Sequence, residues 1–287
     1  MSTSQIFVSV IIPTYHDWDR LQLCINGLSV QSYNQSWFEV IVVNNAPDDI
    51  NADFIVPENA VVIDEDKPGS YAARNAALKI AKGDVVAFLD SDCIPDSKWL
   101  EEGVKALTSS DKVERVAGKV ELFFTGYPLS AAECYEKGFA FRQESNVNKG
   151  VSVTANLFVY RQLFEQYGMF DDSLLSGGDF EWNRRASVAG SSIVYSSAAI
   201  VRHPARNSLS ELLKKANRVA LGSVAINKKT DKLARFRQVV DVAINDLASL
   251  LRRPDMSFKE KVFAVFVWGY IKLFKLFKYI KVKARFN

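Results

Sequence analysis

The stretch VVAFLDSDCIP, residues 85–95, decides how the rest of the sequence is interpreted. The apolar run Val85–Leu89 predicts a strand buried on both faces, as in a parallel sheet covered by helices. Ligands of open α/β sheets bind at the carboxyl ends of the strands, where Asp90, Ser91 and Asp92 fall. Carboxylates there suit Mg²⁺ or Mn²⁺, which prefer oxygen ligands. The alternative is that Asp92 only caps the turn and Asp90 is a solvated strand end.

Strands and helices alternate around this stretch. The sequence predicts strands over 7–12, 39–43 and 60–63, a helix beginning at Asp17 or Asp19, and an alanine-rich helix over 71–81. This order predicts a nucleotide-binding α/β half. Because no GxGxxG or Walker A motif is present, a dinucleotide dehydrogenase or a P-loop NTPase is not expected.

Beyond Pro95 the pattern is less regular. It predicts helices over 99–107, 128–141 and 179–189, strands over 116–124 and 151–159, short strands over 192–195 and 198–201, and a helical pattern from Ser208 to the end.

Composition excludes several classes of protein. The 287 residues are 48% hydrophobic and 24% charged, as in soluble globular proteins. A net charge of +3 does not favour a nucleic-acid partner. Cys24, Cys93 and Cys134 are too few and too scattered for a disulfide framework or a zinc site. The first residues lack a basic segment and a cleavage site, so a strand is expected there instead of a signal peptide, and the expected location is cytoplasmic.

Four stretches give the sequence a specific resemblance. In order and spacing, VSVIIPTYH (8–16), EVIVVNNAPDD (39–49), PGSYAARNAALKIAKGDVVAFLDSDCIPDSKWL (68–100) and GGDFEWNRRASVAG (177–190) resemble the family 2 glycosyltransferases of the GT-A fold. The resemblance implies an α/β fold, a Rossmann-like three-layer α/β/α sandwich, with a C-terminal helical extension. The expected domains are 1–207, with a nucleotide-sugar half (1–95) and an acceptor half (96–207), and the extension 208–287.

The same resemblance implies the donor site. The donor would be a nucleotide diphosphate sugar whose pyrophosphate is bridged to Asp92 by a divalent cation, manganese or magnesium. Asp90 and Ser91 would lie nearer the ribose or the sugar, and Arg74 near the nucleotide, although Arg74 also suits a solvated helix charge. The remaining expected donor contacts come from the loop after the first strand: Pro13, Thr14 and Tyr15.

Two departures from the family leave the nucleotide open between uridine, guanosine and thymidine. Asn44 stands where the family usually has an aspartate, and His16 stands where an asparagine is common. An amide can still bind a base, but its donors and acceptors differ from those of a carboxylate.

Asp179 is the expected general base, and the expected reaction proceeds with inversion. Gly178 replaces the first acid of the family's acidic pair, while Glu181 follows two residues later. Capping of the predicted helix is the structural alternative for Asp179. The resemblance also implies a metal-ligating or phosphate-binding role for His203, which follows the last predicted strand; the alternative is a histidine satisfied by a neighbour.

Three other polar side chains are candidates for binding acceptor or phosphate: Asn156, Arg184 and Arg185. Because the two arginines are adjacent on one predicted helix, they point in different directions and at most one is expected to act.

Residues 256–287 form a basic, aromatic tail with eight Lys or Arg and one Glu. The apolar stretch 262–271 is too short to span a bilayer, which takes about 20 residues. Lysines among apolar residues at helical spacing predict an interfacial helix on an anionic membrane, peripheral at its inner face. The alternatives are packing on the catalytic domain or on a second subunit in a homo-oligomer.

The sequence thus predicts a metal-dependent, hexosyltransferase-type enzyme that acts on a glycan or lipid-linked acceptor. A non-catalytic module that binds sugar nucleotide or glycan is the alternative, favoured by Gly178. A sugar-1-phosphate nucleotidyltransferase would need a glycine-rich basic loop after the first strand, where Pro13 and His16 stand instead.

Overall fold

The computed structural model describes residues 6–49, 51, 53–226 and 244–283. Eight strands form one sheet in the order β3-β2-β1-β4-β7-β6-β8-β5. The strands are β1 Val8–Thr14, β2 Phe38–Asn44, β3 Ala60–Asp64, β4 Val85–Leu89, β5 Ile94–Pro95, β6 Arg115–Phe123, β7 Asn156–Tyr160 and β8 Ile193–Pro204. The α-helices of the first 203 residues are α1 Trp18–Ser29, α2 Ser70–Ile80, α3 Trp99–Leu107, α4 Ala131–Phe139, α5 Gln143–Val147, α6 Gln162–Tyr167 and α7 Gly178–Val188.

Half of the sheet is parallel. β1 pairs parallel with β2 and with β4, and β2 pairs parallel with β3. All five residues of β4 are fully buried, because helices cover the sheet where its apolar strands lie. The predicted α/β sandwich and the strand before the two aspartates are therefore confirmed.

The other half is antiparallel. β7 pairs antiparallel with β4 on one side and with β6 on the other, and β5 pairs antiparallel with β8. The expectation of a parallel environment for β4 is thus wrong on the β7 side. A fully apolar run indicates burial on both faces, and it carries no information about the direction of the neighbouring strand.

Several predicted elements have different bounds. The strand predicted over 151–159 begins only at Asn156, because Gln143 takes the hydrogen bonds of the preceding segment: Val153 N donates to Gln143 Oε1 at 3.1 Å. The two short strands predicted over 192–195 and 198–201 are the single strand β8. The helix predicted over 128–141 is α4, Ala131–Phe139, which begins after the capping box of Ser130 and Glu133.

The chain forms two units, and the first one holds the sheet and residues 178–203. The second unit consists of 122–141, 175–177 and 204–287. It contains α4, α8 Leu209–Ile226, α9 over 244–251 and α10 Phe258–Lys283. Its apolar core includes Leu212, Val267 and Ile271.

The helical pattern predicted from Ser208 to the end is interrupted. Residues 252–257 are not helical, and Pro254 lies among them. The parts of this prediction on 227–243 and 284–287 fall outside the described residues. Among the described helices, none combines the length and the apolar character needed to cross a membrane.

Candidate active site

Asp90 and Asp92 lie at the carboxyl end of β4 and have different partners. The chain turns directly after β4, since Cys93 N donates to the Asp90 carbonyl at 3.0 Å. The carboxylate of Asp90 pairs with Arg74, whereas that of Asp92 lies 3.3 Å from His203 Nε2. The two carboxylates of this motif therefore lie in separate surroundings, one beside a guanidinium and one beside an imidazole.

Arg74 is a buried arginine, not a solvated helix charge. It lies on α2, is only 3% exposed, and donates from a terminal nitrogen to Asp90 Oδ1 at 2.5 Å. A buried guanidinium requires such pairing, because desolvating an unpaired charge is costly. Its Nε is also buried but has no hydrogen-bond partner among the described residues. This orphaned donor beside Asp90 is available to a ligand.

His203 reaches Asp92 through the pairing of β5 with β8. Ile94 pairs with Arg202, so the next residue of β8 lies beside the turn that follows β4. His203 is 3% exposed, and the neighbour that satisfies it is the aspartate of the motif. A histidine satisfied by this neighbour can therefore still be a metal ligand, because the neighbour is itself the expected metal-binding aspartate.

The pair Asp92 and His203 fits a divalent cation. It offers one carboxylate oxygen and one imidazole nitrogen, donors that Mn²⁺ accepts. Two ligands at right angles around an octahedral ion lie about 3 Å apart, close to the separation here. Within the described residues, no group of three or more His, Cys, Asp or Glu is arranged to hold a metal. Water molecules and substrate phosphates would therefore occupy the remaining coordination positions of the ion, as is usual for Mg²⁺.

The loops after β1 and β2 lie side by side. Asp49 joins them, since its Oδ2 lies 2.8 Å from His16 Nδ1 and accepts from Trp18 Nε1. Thr14 is 2% exposed, and its Oγ1 is buried without a hydrogen-bond partner among the described residues. Tyr15 is 64% exposed, an aromatic surface beside that orphaned hydroxyl. Pro13 is half-buried within β1, directly before Thr14.

Asn44 is engaged with its own surroundings. Its amide donates to the Asp49 carbonyl and to Asp64 Oδ1, and its oxygen accepts from Ala46 N. Its side chain is thereby fixed at the end of β2, and Asp64 places a carboxylate beside its amide.

Asp179 lies in the first turn of α7 rather than at the N-cap. Its Oδ1 accepts from the hydroxyl of Tyr71 at 3.0 Å and from Phe180 N at 2.9 Å. Burial raises the pKa of Asp179, although these hydrogen bonds and the nearby Arg74 oppose that shift. A carboxylate with a raised pKa is a stronger base than a solvated one.

The neighbouring acid has another partner. Glu181 forms an ion pair with Arg185, whose NH2 lies 2.9 Å from Glu181 Oε2. The same arginine donates to the carbonyls of Tyr167 and Met169, so it fixes the loop before α7. Arg74 and Asp90, by contrast, lie near enough to Asp179 for their charges to act on its carboxylate.

Asn156 does not serve an acceptor, as the sequence had allowed. It is fully buried, accepts from Trp99 Nε1 at 2.9 Å, and donates to the carbonyls of Lys119 and Ala199. All of its hydrogen-bonding groups are used inside the fold. Arg184 is exposed, away from the buried face of α7.

Sequence reasoning missed Tyr71. It precedes Arg74 by three residues, and the two share one face of α2, with the guanidinium carbon 5.8 Å from the ring centroid. Two features of the sequence could have indicated Tyr71: its spacing of three residues from Arg74 on the predicted helix, and the glycine at position 178 in place of an acid. Contacts therefore run continuously from Asp90 through Arg74 and Tyr71 to Asp179.

Comparison with known proteins identifies the family and the fold of this chain. The glycosyl transferase family 2 model matches residues 9–168. Glycosyltransferase AglE of Haloferax volcanii is 37% identical over 88% of this chain and 84% of its own length.

Two solved structures share the fold at low identity. A Pyrobaculum calidifontis mannosyltransferase in complex with GDP-Man and Mn²⁺ aligns with a TM-score of 0.62 at 16% identity, covering 97% of this chain and 88% of that one. S. aureus TarS 1–349 in complex with UDP-GlcNAc aligns with a TM-score of 0.55 at 18% identity, covering 93% and 80%.

The fold and the relatives define a GT-A glycosyltransferase, an enzyme that transfers sugars from nucleotide sugars. The chain belongs to glycosyl transferase family 2.

Proposed function

We propose that this enzyme transfers a sugar from a nucleotide diphosphate sugar to a hydroxyl group of a glycan or lipid-linked acceptor, with inversion at the anomeric carbon. The observation that supports this reaction is the chain of contacts from Asp90 through Arg74 and Tyr71 to Asp179. It joins the motif expected to bind the donor to the carboxylate expected to accept a proton.

Asp92 and His203 would hold the Mg²⁺ or Mn²⁺ ion at which the donor binds. When bound, such an ion supplies positive charge that stabilises the departing nucleotide diphosphate. Ser91 lies between the two aspartates, on the turn that follows the sheet, with Asp90 towards the ribose or the sugar.

Thr14 and Arg74 support a nucleotide at the carboxyl ends of β1 and β4. Each has a buried polar atom without a partner among the described residues, and a ligand that hydrogen-bonds these atoms would remove that cost. Pro13 and the exposed ring of Tyr15 provide the adjoining surface for base and ribose. Asn44, whose amide donates to Asp64, provides a further contact for the nucleotide at the end of β2.

Asp179 accepts the proton of the acceptor hydroxyl. As the proton moves to the carboxylate, the acceptor oxygen forms a bond to the anomeric carbon. The bond from that carbon to the phosphate oxygen breaks, and the nucleotide diphosphate leaves with the electron pair. Attack from the side opposite the leaving group inverts the anomeric carbon.

Transfer assays with UDP-glucose, UDP-N-acetylglucosamine and GDP-mannose test this proposal. They should be run with Mn²⁺ and with EDTA, on the wild type, on Asp179→Asn and on Glu181→Gln as the matched control. Product should form only with metal, and it should disappear in Asp179→Asn while persisting in Glu181→Gln. Full activity of Asp179→Asn would reject its assignment as the base.

A non-catalytic binding module is the second candidate, because Gly178 lacks the first acid of the family pair. Calorimetry with the same three nucleotide sugars separates the two. Binding with neither transfer nor donor hydrolysis would favour the module, whereas turnover of a bound donor would exclude it.

Helix α10 supports a peripheral position at the inner, anionic face of the cytoplasmic membrane. Large apolar side chains at spacings of three and four residues stand exposed along one side: Phe263, Phe266, Tyr270, Leu273 and Phe277. A different side of the helix packs into the second unit through Ala264, Val267 and Ile271. An exposed apolar stripe on a helix with seven lysines and one glutamate suits an anionic lipid surface.

Vesicle flotation tests this surface on the full chain, with phosphatidylglycerol vesicles and with phosphatidylcholine vesicles. The wild type should float with the anionic vesicles, and Phe266→Ser/Leu273→Ser should not. Val188→Ser, at an exposed position of α7, is the control and should float. If the double variant floats like the wild type, the membrane surface is wrong. If it instead dissociates a dimer without any lipid effect, the stripe binds a second copy of the chain.

A further inference from the structure

We infer that Tyr71 is a positioning residue for Asp179, and that position 178 is glycine because the ring of Tyr71 occupies the space of a side chain there. This inference rests on the proposed role of Asp179 as the general base. It assigns a function to a residue outside the expected donor and metal contacts.

The hydroxyl of Tyr71 holds one oxygen of the carboxylate. It donates to Asp179 Oδ1 at 3.0 Å, and the same oxygen accepts from Phe180 N at 2.9 Å. No hydrogen bond to Oδ2 comes from the described residues. With Oδ1 fixed, Oδ2 is the oxygen that accepts the proton of the acceptor hydroxyl.

Tyr71 is itself held in place. It is 6% exposed, and its ring packs on Phe170 with centroids 5.7 Å apart. Phe170 is fixed in turn by Asn75, whose amide donates to the Phe170 carbonyl at 2.9 Å and accepts from Phe170 N at 3.1 Å. Tyr71 and Asn75 both lie on α2. The helix that carries Arg74 therefore also directs the phenol hydroxyl of Tyr71 toward Asp179.

A side chain at position 178 would displace this ring. A Cβ built on Gly178 would lie 2.8 Å from Cδ2 and Cε2 of Tyr71 and 3.0 Å from its Cζ, closer than carbon atoms pack. The ring cannot withdraw without losing its contact with Phe170. Gly178 does not have a positive φ, so its backbone alone does not require glycine. The acid expected at this position and the phenol of Tyr71 therefore exclude each other.

The hydrogen bond also affects the titration of Asp179. The charged and titratable groups near its carboxylate are Arg74 and Tyr71 on α2 and Asp90 after β4. Donation from the phenol favours the ionised carboxylate and so lowers its pKa, against the effects of burial and of Asp90. Burial raises the pKa of the Tyr71 phenol, which therefore remains a donor.

Tyr71→Phe is the decisive variant, because it removes the hydroxyl and keeps the ring. A hydrogen bond to a charged group supports a fall in kcat of about 10-fold, with the donor KM changed less than about 2-fold. The acid limb of the kcat profile should move to higher pH, because the ionised carboxylate loses a donor. Tyr160→Phe, on β7, is the matched control and should leave both kcat and the profile unchanged.

Gly178→Ala tests the second half of the inference. It should lower kcat as Tyr71→Phe does, and the double variant should be no slower than the slower single variant, since both act on one contact. Melting temperatures show whether each protein is folded; if Gly178→Ala does not fold, Tyr71→Leu/Gly178→Ala restores space for the methyl group and should fold.

Three results separate the two proposals. Wild-type kcat and an unchanged acid limb in Tyr71→Phe would overturn the positioning role, and fully additive losses in the double variant would overturn the explanation of Gly178. If Asp179→Asn is inactive in either case, the base assignment stands. If Asp179→Asn retains full activity, the assignment of Asp179 as the base fails, and the positioning role of Tyr71 fails with it, although the transfer reaction stands.

Discussion

The two halves of the sheet supply the candidate active site in different ways. In the parallel half, three candidate site residues lie at the carboxyl ends of their own strands: Thr14 ends β1, Asn44 ends β2, and Asp90 follows β4. In the antiparallel half, His203 reaches Asp92 only through the pairing of β5 with β8, and Asp179 reaches the site through α7 and the contact with Tyr71. The parallel half is organised by local sequence, and the antiparallel half by contacts between distant segments.

Asp92, where the two halves meet, should show the largest effect. Asp92→Asn keeps the size of the side chain but removes the negative charge that attracts the cation. Activity should fall by about three orders of magnitude or more, since a bound metal contributes several kcal/mol to charge stabilisation. A metal-dependent transfer assay measures this loss. Asp111→Asn, an exposed carboxylate, is the control and should stay active; an Asp92→Asn enzyme within about 10-fold of wild type would contradict the assignment.

Asp179→Asn comes next and tests the antiparallel half. Loss of a general base should lower kcat about 10²- to 10⁴-fold. Calorimetry should show donor binding close to that of the wild type, because Asp179 is not among the expected donor contacts. Loss of donor affinity parallel to the loss of kcat would mean that Asp179 serves binding instead of proton transfer.

Asn156→Ala should destabilise the protein more than other polar changes in the antiparallel half. It would leave Trp99 Nε1 and the carbonyls of Lys119 and Ala199 without their partner in the core. We expect the free energy of unfolding to fall by about 3 kcal/mol in urea denaturation. Asn148→Ala, at an exposed position, should cost less than about 0.5 kcal/mol. Equal losses in both variants would show that Asn156 does not hold β6, β7 and β8 together.

His203→Gln should have a smaller effect than Asp92→Asn, because a carboxylate remains for the cation. The Mn²⁺ concentration for half-maximal activity should rise about 10- to 100-fold, with activity recovering at high metal. A metal titration of the transfer rate measures this shift. An unchanged Mn²⁺ requirement would mean that His203 does not bind the metal and is only a structural partner of Asp92.

The smallest effect concerns stability and pH. The raised pKa of Asp179 means that the folded protein holds this proton more firmly than the unfolded chain does. The associated stability is present below the ordinary pKa of aspartate and is lost as the pH rises through the raised value. Asp179→Asn should therefore melt at a higher temperature than the wild type at neutral pH, and the difference should vanish in acid. A difference that is constant across pH would argue against this linkage.

The parallel half could largely be predicted from the sequence, since its information is local. The run Val85–Leu89 specified β4, and Asp90 and Asp92 follow it directly in the chain. The buried state of Arg74 could not be predicted, because an arginine on a helix surface gives no local sign of its partner. The proximity of His203 to Asp92 depends on strand register, and the place of Tyr71 depends on the packing of α2 near α7. Asn156 was misjudged for the same reason: a polar residue in an apolar run suits a core network as well as a ligand.

Calorimetric titration of UDP and of GDP, with and without Mn²⁺, tests most directly that Asp92 holds the donor through a metal. The wild type and Asp92→Asn should be compared, with Asp111→Asn as the control. We predict that Mn²⁺ strengthens binding of at least one nucleotide to the wild type and to Asp111→Asn by about 100-fold, the order expected for loss of a metal contact. Asp92→Asn should bind that nucleotide with equal, weak affinity in both conditions. Equal Mn²⁺-dependent binding by Asp92→Asn and the wild type would contradict the account.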